Sequence, residues 1–393
     1  MSAEEHARGT TRRKFMKILG GGTILAAVGA GGFSLTRTPT KALAPWNAEQ
    51  NLNVYQDARH YVLAHAVLAP NPHNRQPWLV ELQEADKMTL YCDLDRRLPV
   101  TDPYDRQITV GLGCFLELAN IAANQIGYRL DVTYFPQGES VPRLDEKPVA
   151  ELSLVKDESI KPDLLFRSIF ERRSNKEPFD TQRPVSSFDA AAITGAATSG
   201  VETGFELDEM QIAEFRELTR NAIETELRTP PAYKESVDLF RIGKAEVEAN
   251  PDGIDLSGMF FEVMKLAGQM NKETLLDPDG FAFAQGLEIV RPQMETAMGY
   301  VRIVTKDNSR VDQINAGRSY IRMNLKATET GISMQPLSQA LQEYPEVAPY
   351  YNKIRKMLGL QGSETLQMFA RIGYGEKLPP SPRWDYRTRI RNA

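Results

Sequence analysis

The stretch Ala69-Pro70-Asn71-Pro72-His73-Asn74-Arg75-Gln76-Pro77-Trp78 decides how this chain is read. Pro70 and Pro72 precede Asn74 and Pro77 follows it. Each ring fixes its own φ, removes an amide donor and pushes the preceding residue toward an extended conformation. The stretch predicts an ordered, non-helical loop carrying several amides, a shape able to cradle a flat ligand. Turns of this composition also serve as plain connectors, here between a helix predicted over 60–68 and a strand predicted over 79–82.

Outward from the loop, the spacing predicts a strand over 88–92 and a helix over 108–126. In that helix Ile108, Leu112, Phe115, Leu116, Ala119, Ala122, Ala123 and Ile126 recur at helical period and the polar face is thin, so it should be largely buried. Gly127 stands where a left-handed C-cap is wanted, ahead of strands over 129–135 and 150–155. A helix over 311–330 copies the first: Gly113, Asn120, Ile121, Ala123 and Gly127 match Gly317, Asn324, Leu325, Ala327 and Gly331 at identical spacing. This suggests two related halves, with small residues letting the helix backbones approach closely. The boundary falls near 157–162. From about 206 to 293 the chain becomes charged helices, broken by Thr229-Pro230-Pro231 and Asn250-Pro251-Asp252-Gly253, with no counterpart in the first half. This is a candidate inserted cover, whose Phe260, Phe261, Phe281 and Phe283 either face a pocket or pack the insert onto the body.

A second cluster, Glu171-Arg172-Arg173-Ser174-Asn175-Lys176-Glu177-Pro178-Phe179, gathers two guanidiniums, a hydroxyl and an ammonium at a helix end stopped by Pro178. Arginine forks match phosphate oxygens bidentately, and Ser and Lys add a donor and a point charge. The segment reads as a terminal-phosphate site or as a solvated charged face.

Together these segments resemble the nitroreductase superfamily. Pro70, Asn74, Gln76, Pro77 and Trp78 fall on its Pro-Ser-x-x-Asn-x-Gln-Pro-Trp loop, with Asn71 and Pro72 replacing the usual small hydroxyl residues. Arg172, Ser174 and Lys176 match its Arg-x-Ser-x-Lys/Arg segment, and Arg371-Ile372-Gly373-Tyr374 with Pro382-Arg383 match its ending. The run 331–339 resembles the segment that reaches flavin N5, with Ser338 and Gln339 in place of an acidic residue and a glycine. The resemblance implies an α+β fold, a mostly antiparallel sheet with surrounding helices, duplicated as a fused pseudo-dimer. It implies FMN held by Pro70, Asn71, Pro72, Asn74, Arg172, Ser174, Lys176 and Arg383, Ser338 and Gln339 beside N5, and flat, electron-poor redox substrates such as nitroaromatics or quinones. In the family, loop and phosphate grip come from different subunits. Here each occurs once, in opposite halves, so one site forms and its twin is missing, as in the single-chain Acg-like branch; monomer or homodimer would both serve. A flavin-binding store or sensor without turnover is the alternative.

Lys and Arg number 47 against 52 Asp and Glu, a net charge of −5 with basic residues scattered, which excludes a nucleic-acid footprint. Cys92 and Cys114 read as buried free thiols. Gly111-Leu112-Gly113 lacks the third glycine of a dinucleotide fingerprint, His60 and His65 are off one helical face for metal binding, and no Gly-x-Ser-x-Gly elbow exists. No metal is expected. His73 is the one histidine at the proposed site. At the amino terminus, Thr11-Arg12-Arg13-Lys14-Phe15-Met16-Lys17 leads into an apolar, glycine-rich run over 18–32, too short to span a bilayer comfortably. It reads as a twin-arginine export signal, with cleavage after Ala42-Leu43-Ala44 so that Pro45 begins the mature chain, or retention as an anchor. The expected plan is a signal over 1–44, a first half over 45–160 and a second half over 161–393 carrying the insert. The expected location is the periplasm or cell envelope. There NAD(P)H is absent, and a membrane quinol or small exported carrier is the expected redox partner.

Overall fold

The computed structural model describes residues 37–84 and 86–391; the Arg12-Arg13 motif and its apolar run lie outside the described residues. After a short N-terminal strap, helix α1 (Ala58–Ala66) begins at Asp57, whose carboxylate accepts the Arg59 amide at 2.8 Å. The proline loop follows, then strands β1 (Trp78–Leu82) and β2 (Lys87–Cys92), the long helix α2 (Arg106–Gln125), β3 (Tyr128–Tyr134) and β4 (Ala150–Lys156). The second half runs α3 (Ser187–Gly195), β5 (Glu202–Glu206), the insert opening with α4 (Glu209–Arg228), then β6 (Gly299–Thr305), α5 (Arg310–Glu329), β7 (Ser333–Pro336) and β8 (Thr365–Gly373).

Each half builds one four-stranded antiparallel sheet, ordered β1-β2-β4-β3 in the first and β5-β6-β8-β7 in the second. Element for element the orders are the same. The insert occupies 207–298, where the first half has only the tight turn between β1 and β2. The pseudo-dimer expected from the repeat is therefore present in the topology, with one four-stranded sheet per half and a small two-stranded parallel sheet, Phe240–Ile242 with Ile254–Leu256, inside the insert.

The seam between halves is α2 against α5. A Cβ added at Gly113 would lie 2.3 Å from the Ile314 carbonyl oxygen, and one at Gly317 would lie 2.0 Å from that of Val110. Ile314 precedes Gly317 by the same three residues as Val110 precedes Gly113, so the contact is isologous, as across a two-fold axis. Only glycine permits this approach. Both helices stop at a left-handed glycine, Gly127 at φ 76° and Gly331 at φ 74°. Cys114 and Cys92 are buried free thiols, and Cys114 Sγ donates across the seam to the Gly317 carbonyl at 3.2 Å.

The halves differ on their outer faces. In β3 burial alternates, whereas β6 and β8 are buried almost throughout. Ile212, Phe215, Leu218, Ala222 and Ile223 on one stripe of α4 pack on Tyr300, Val304, Leu366 and Phe369, covering the face that the first sheet leaves toward solvent. Each such fully buried large side chain contributes roughly 1.5–3 kcal/mol. Of the insert phenylalanines, Phe283 is buried edge-on to Tyr233 at 5.2 Å, and Phe260 packs on Phe261 at 5.3 Å. Packing within the insert, and not a pocket, accounts for Phe283.

Past β8 the chain crosses back to the first half, where Arg391 donates its amide to the Val80 carbonyl at 2.8 Å. That crossing carries Arg383 to the proline loop.

Candidate functional site

The loop is held in a conformation that its residues resist. His73, Asn74 and Gln76 have φ of 47°, 53° and 52°, left-handed values that cost non-glycine residues of order 1–3 kcal/mol each, least for Asn. The surroundings supply the restraint. Gln76 donates its amide to Asn71 Oδ1 at 2.6 Å, and its side chain donates to the Pro251 carbonyl at 2.7 Å and accepts from the Trp384 amide at 2.9 Å. From the insert, Gly253 donates its amide to the Asn74 carbonyl at 3.2 Å. Beneath the loop, Gly111 of α2 admits Asn71 and Pro72, whose atoms would lie 3.1 and 3.2 Å from a Cβ there. Trp78 is fully buried and stacks on Phe115 at 5.1 Å.

The asparagine side chains turn inward. Asn74 donates to the Pro382 carbonyl at 3.0 Å and accepts from Arg383 Nη1 at 2.5 Å. Asn71, besides receiving Gln76, donates to the Ala69 carbonyl at 3.1 Å. These amides brace the loop instead of presenting themselves to a ligand, while Pro70 lies buried at its root.

Beside the loop the structure gathers three arginines from the other half. Arg172 donates to the Leu68 carbonyl at 3.2 Å and to Asn324 Oδ1 at 3.4 Å; Arg383 donates to the Ala69 carbonyl at 3.2 Å; Arg173 is held by the carbonyls of Phe170 and Leu378. Arg172 and Arg383 are each 3% exposed, and the Nε of each has no partner. Among the described residues no carboxylate lies within ion-pair distance of either. Burial, reinforced by Arg173, holds Arg172 down at about 10, and burial with repulsion from Arg172 and Arg173 holds Arg383 well below the usual range. Buried cations without anions are costly. The cluster has the chemistry of a site built for an anion bearing several oxygens.

The remaining expected residues divide. Lys176 keeps an exposed side chain while neighbouring protein crowds its charge. Burial lowers its pKa against the pull of Glu226, and burial, Lys176 and Arg75 together hold His73 at about 4, so loop and grip meet here too. Ser174 instead forms a backbone bridge to Met334, its hydroxyl beside the buried Tyr320 phenol. Gln339 donates to Glu226 Oε1 at 3.3 Å, and Ser338 opens a short turn whose Leu341 amide returns to its carbonyl at 2.8 Å. Arg371 donates to the carbonyls of Asn175 and Glu177 beneath the Phe179 ring, supporting the grip from inside the core. Glu226, Asn324 and Trp46 were not singled out by sequence. Only the Asn120–Asn324 match of the repeat offered a signal.

At the pseudo-symmetric position the same helices make a different arrangement. Glu117, 1% exposed, accepts from Arg318 at 2.8 Å and Arg322 at 2.9 Å; Arg322 also meets Asp163 at 2.8 Å, and Asn120 donates to Glu117 at 3.4 Å. Burial opposes both charges, but the carboxylates outweigh it and hold both guanidiniums above their usual range. At the twin, the arginines are paired with acids.

Fold and site together define, among the described residues, an internally duplicated α+β chain with a buried arginine cluster at its seam that lacks a carboxylate partner. A chain of Mycobacterium tuberculosis provisionally named an NAD(P)H nitroreductase is 24% identical over 340 residues, covering 82% of this chain and 88% of that protein, in strains H37Rv and CDC 1551 alike. No family model matches. Among solved structures, iodotyrosine deiodinase bound to FMN and 3-iodo-L-tyrosine is 13% identical with a TM-score of 0.34, over 56% of this chain and 95% of that one. The FMN-dependent nitroreductase of Mycobacterium smegmatis in complex with NADPH is 17% identical with a TM-score of 0.33, over 53% and 86%. Overlaps of that size do not superpose the whole molecule, and the fold above stands on its own topology.

Proposed function

We propose that this chain is an FMN-dependent oxidoreductase of the nitroreductase type, belonging to its single-chain Acg-like branch. One observation carries the reading: Arg172 and Arg383, buried and without a carboxylate, converge on a strained proline loop supplied by the other half. The similarity to the mycobacterial nitroreductase supports it. Arg172, Arg383 and the neighbouring Arg173 hold the flavin phosphate, Pro70 to Asn74 wall one side, and Lys176 projects beside them. Bound FMN would accept a hydride from a donor and pass it to a flat, electron-poor acceptor. The protein's part is to fix the phosphate, shape the cleft and exclude water. Gln339, tied to Glu226, lies on the segment that the resemblance sets beside N5, and Ser338 precedes it.

The proposal includes export by the twin-arginine route to the cell envelope, carried folded with its cofactor, and a membrane or small-molecule redox partner there. One internal seam already supplies both halves of the site, so a monomer suffices. A second reading, a flavin store without turnover, is favoured by the insert. Its Pro251 and Gly253 bond to the loop, and Asp252 pairs with Arg75, Arg96 and Arg241 at 2.9, 2.7 and 3.0 Å, closing that side.

The test is the visible absorption of the purified chain after incubation with FMN and gel filtration. Rapid mixing with NAD(P)H, dithionite-reduced carriers and menadione follows. A colourless protein refutes the flavin reading. A bound flavin that, once reduced, is reoxidised no faster than free flavin removes the enzyme and leaves the store.

A further inference from the structure

The strap ahead of α1 closes over the same arginines. It consists of a helical turn, Thr40–Leu43, followed by a tighter one, Ala44–Asn47. Trp46 is 7% exposed, and its indole lies 5.8, 4.9 and 5.3 Å from the guanidinium carbons of Arg172, Arg173 and Arg383. Its Nε1 donates to the Ser381 carbonyl at 2.7 Å, which fixes the ring against the C-terminal crossing. One turn earlier, Ala42 is buried and its carbonyl accepts the Arg383 amide at 2.8 Å. The Lys41 amide reaches Glu248 of the insert at 3.4 Å.

A single aromatic face offers a cation only part of what an anion offers. Here one indole faces three guanidiniums, two of them buried, so the ring seals the cluster without neutralising it. The expected signal junction, Ala44-Pro45, lies between the Ala42 anchor and Trp46. Cutting there would detach the anchor from the ring and create a new amino terminus, a further positive charge, one residue from Trp46.

We propose that the strap Thr40–Asn47 is the outer wall of the phosphate site, with Trp46 a binding residue, and that the chain retains FMN only while the strap is uncut. The proposal rests on the flavin reading above. It makes the strap part of the working protein and not a disposable leader end.

The experiment uses the full chain with a site-specific protease sequence inserted between Ala44 and Pro45, loaded with FMN and then cut. Flavin release is followed by recovery of its fluorescence on dilution. Cutting should speed release at least tenfold over the uncut insertion variant, and Trp46→Ala should do the same without any cut, while Trp46→Phe keeps most of the retention. If the insertion alone speeds release, the Trp46→Ala rate decides. Release within twofold of the uncut chain, both after cutting and in Trp46→Ala, overturns the wall while leaving the flavin reading intact. An uncut chain that takes up no FMN removes both.

Discussion

Two pseudo-symmetric places on one seam differ in how their arginines are answered, part-buried and paired with acids at one, buried without acids at the other. At one, Glu117 and Asp163 answer Arg318 and Arg322; at the other, Arg172 and Arg383 face backbone carbonyls, an amide and an indole. The helices, their paired glycines and the matched asparagines are shared. A duplicated fold gives two related positions, and on the proposal above the charge difference between them is what separates a structural position from a ligand site. A filled ion network stabilises the resting chain, whereas an uncompensated one is unfavourable until an anion arrives.

The comparison breaks most sharply at the filled twin. Removing both cations with Arg318→Ala and Arg322→Ala strands Glu117 in the core, and should cost about 3–5 kcal/mol in urea unfolding while leaving FMN affinity unchanged. An unaltered midpoint would show that the network is not what fills that position. At the shared seam the two places should behave alike. Gly113→Val and Gly317→Val each push a side chain into an opposing carbonyl and should destabilise by about 3 kcal/mol, in equal measure; a large inequality would argue against the two-fold relation. The smallest effect is a titration at His73, on the cation-rich side. His73, held at about 4 by burial, Lys176 and Arg75, stays neutral in the folded chain while the unfolded residue titrates near 6.5. Between those values the unfolded state binds more protons, so stability falls as pH drops, by about 1.4 kcal/mol per unit. Buried His65, also held at about 4, adds to this slope and Asp102, raised by burial to about 6, opposes it, so the slope is read as a difference between wild type and variant. In His73→Asn, which tolerates the left-handed backbone, the slope should shrink by that amount; an unchanged slope would place the acid sensitivity elsewhere.

Much of the fold was legible because periodicity and glycine placement are local. The helix expected over 108–126 is Arg106–Gln125, the one over 311–330 is Arg310–Glu329, and both end at their glycines. The repeat between them foretold the seam, but not that Gly113 and Gly317 each meet the other helix's carbonyl, since register between distant helices is not written in either. The loop and the grip were visible as motifs. The inward turn of Asn74 was not, because it depends on Pro382 and Arg383, some three hundred residues away. Glu226 looked like any acid on a charged helix until α4 buried it. Trp46 belongs to no motif in the sequence, and its place beside the arginines follows from distant contacts such as that of Ala42 with Arg383.

The most direct test compares the two arginine pairs in one assay. FMN affinity, followed by flavin fluorescence, and urea stability of the ligand-free chain are measured for Arg172→Met with Arg383→Met and for Arg318→Ala with Arg322→Ala. The first pair should weaken FMN binding by roughly 1.5–3 kcal/mol for each charged hydrogen bond lost, with ligand-free stability unchanged or higher. The second should lower stability and leave FMN affinity unchanged. Full FMN affinity in Arg172→Met with Arg383→Met, or its loss in the Arg318 and Arg322 variant with stability intact, would contradict the assignment of the uncompensated cluster as the cofactor site.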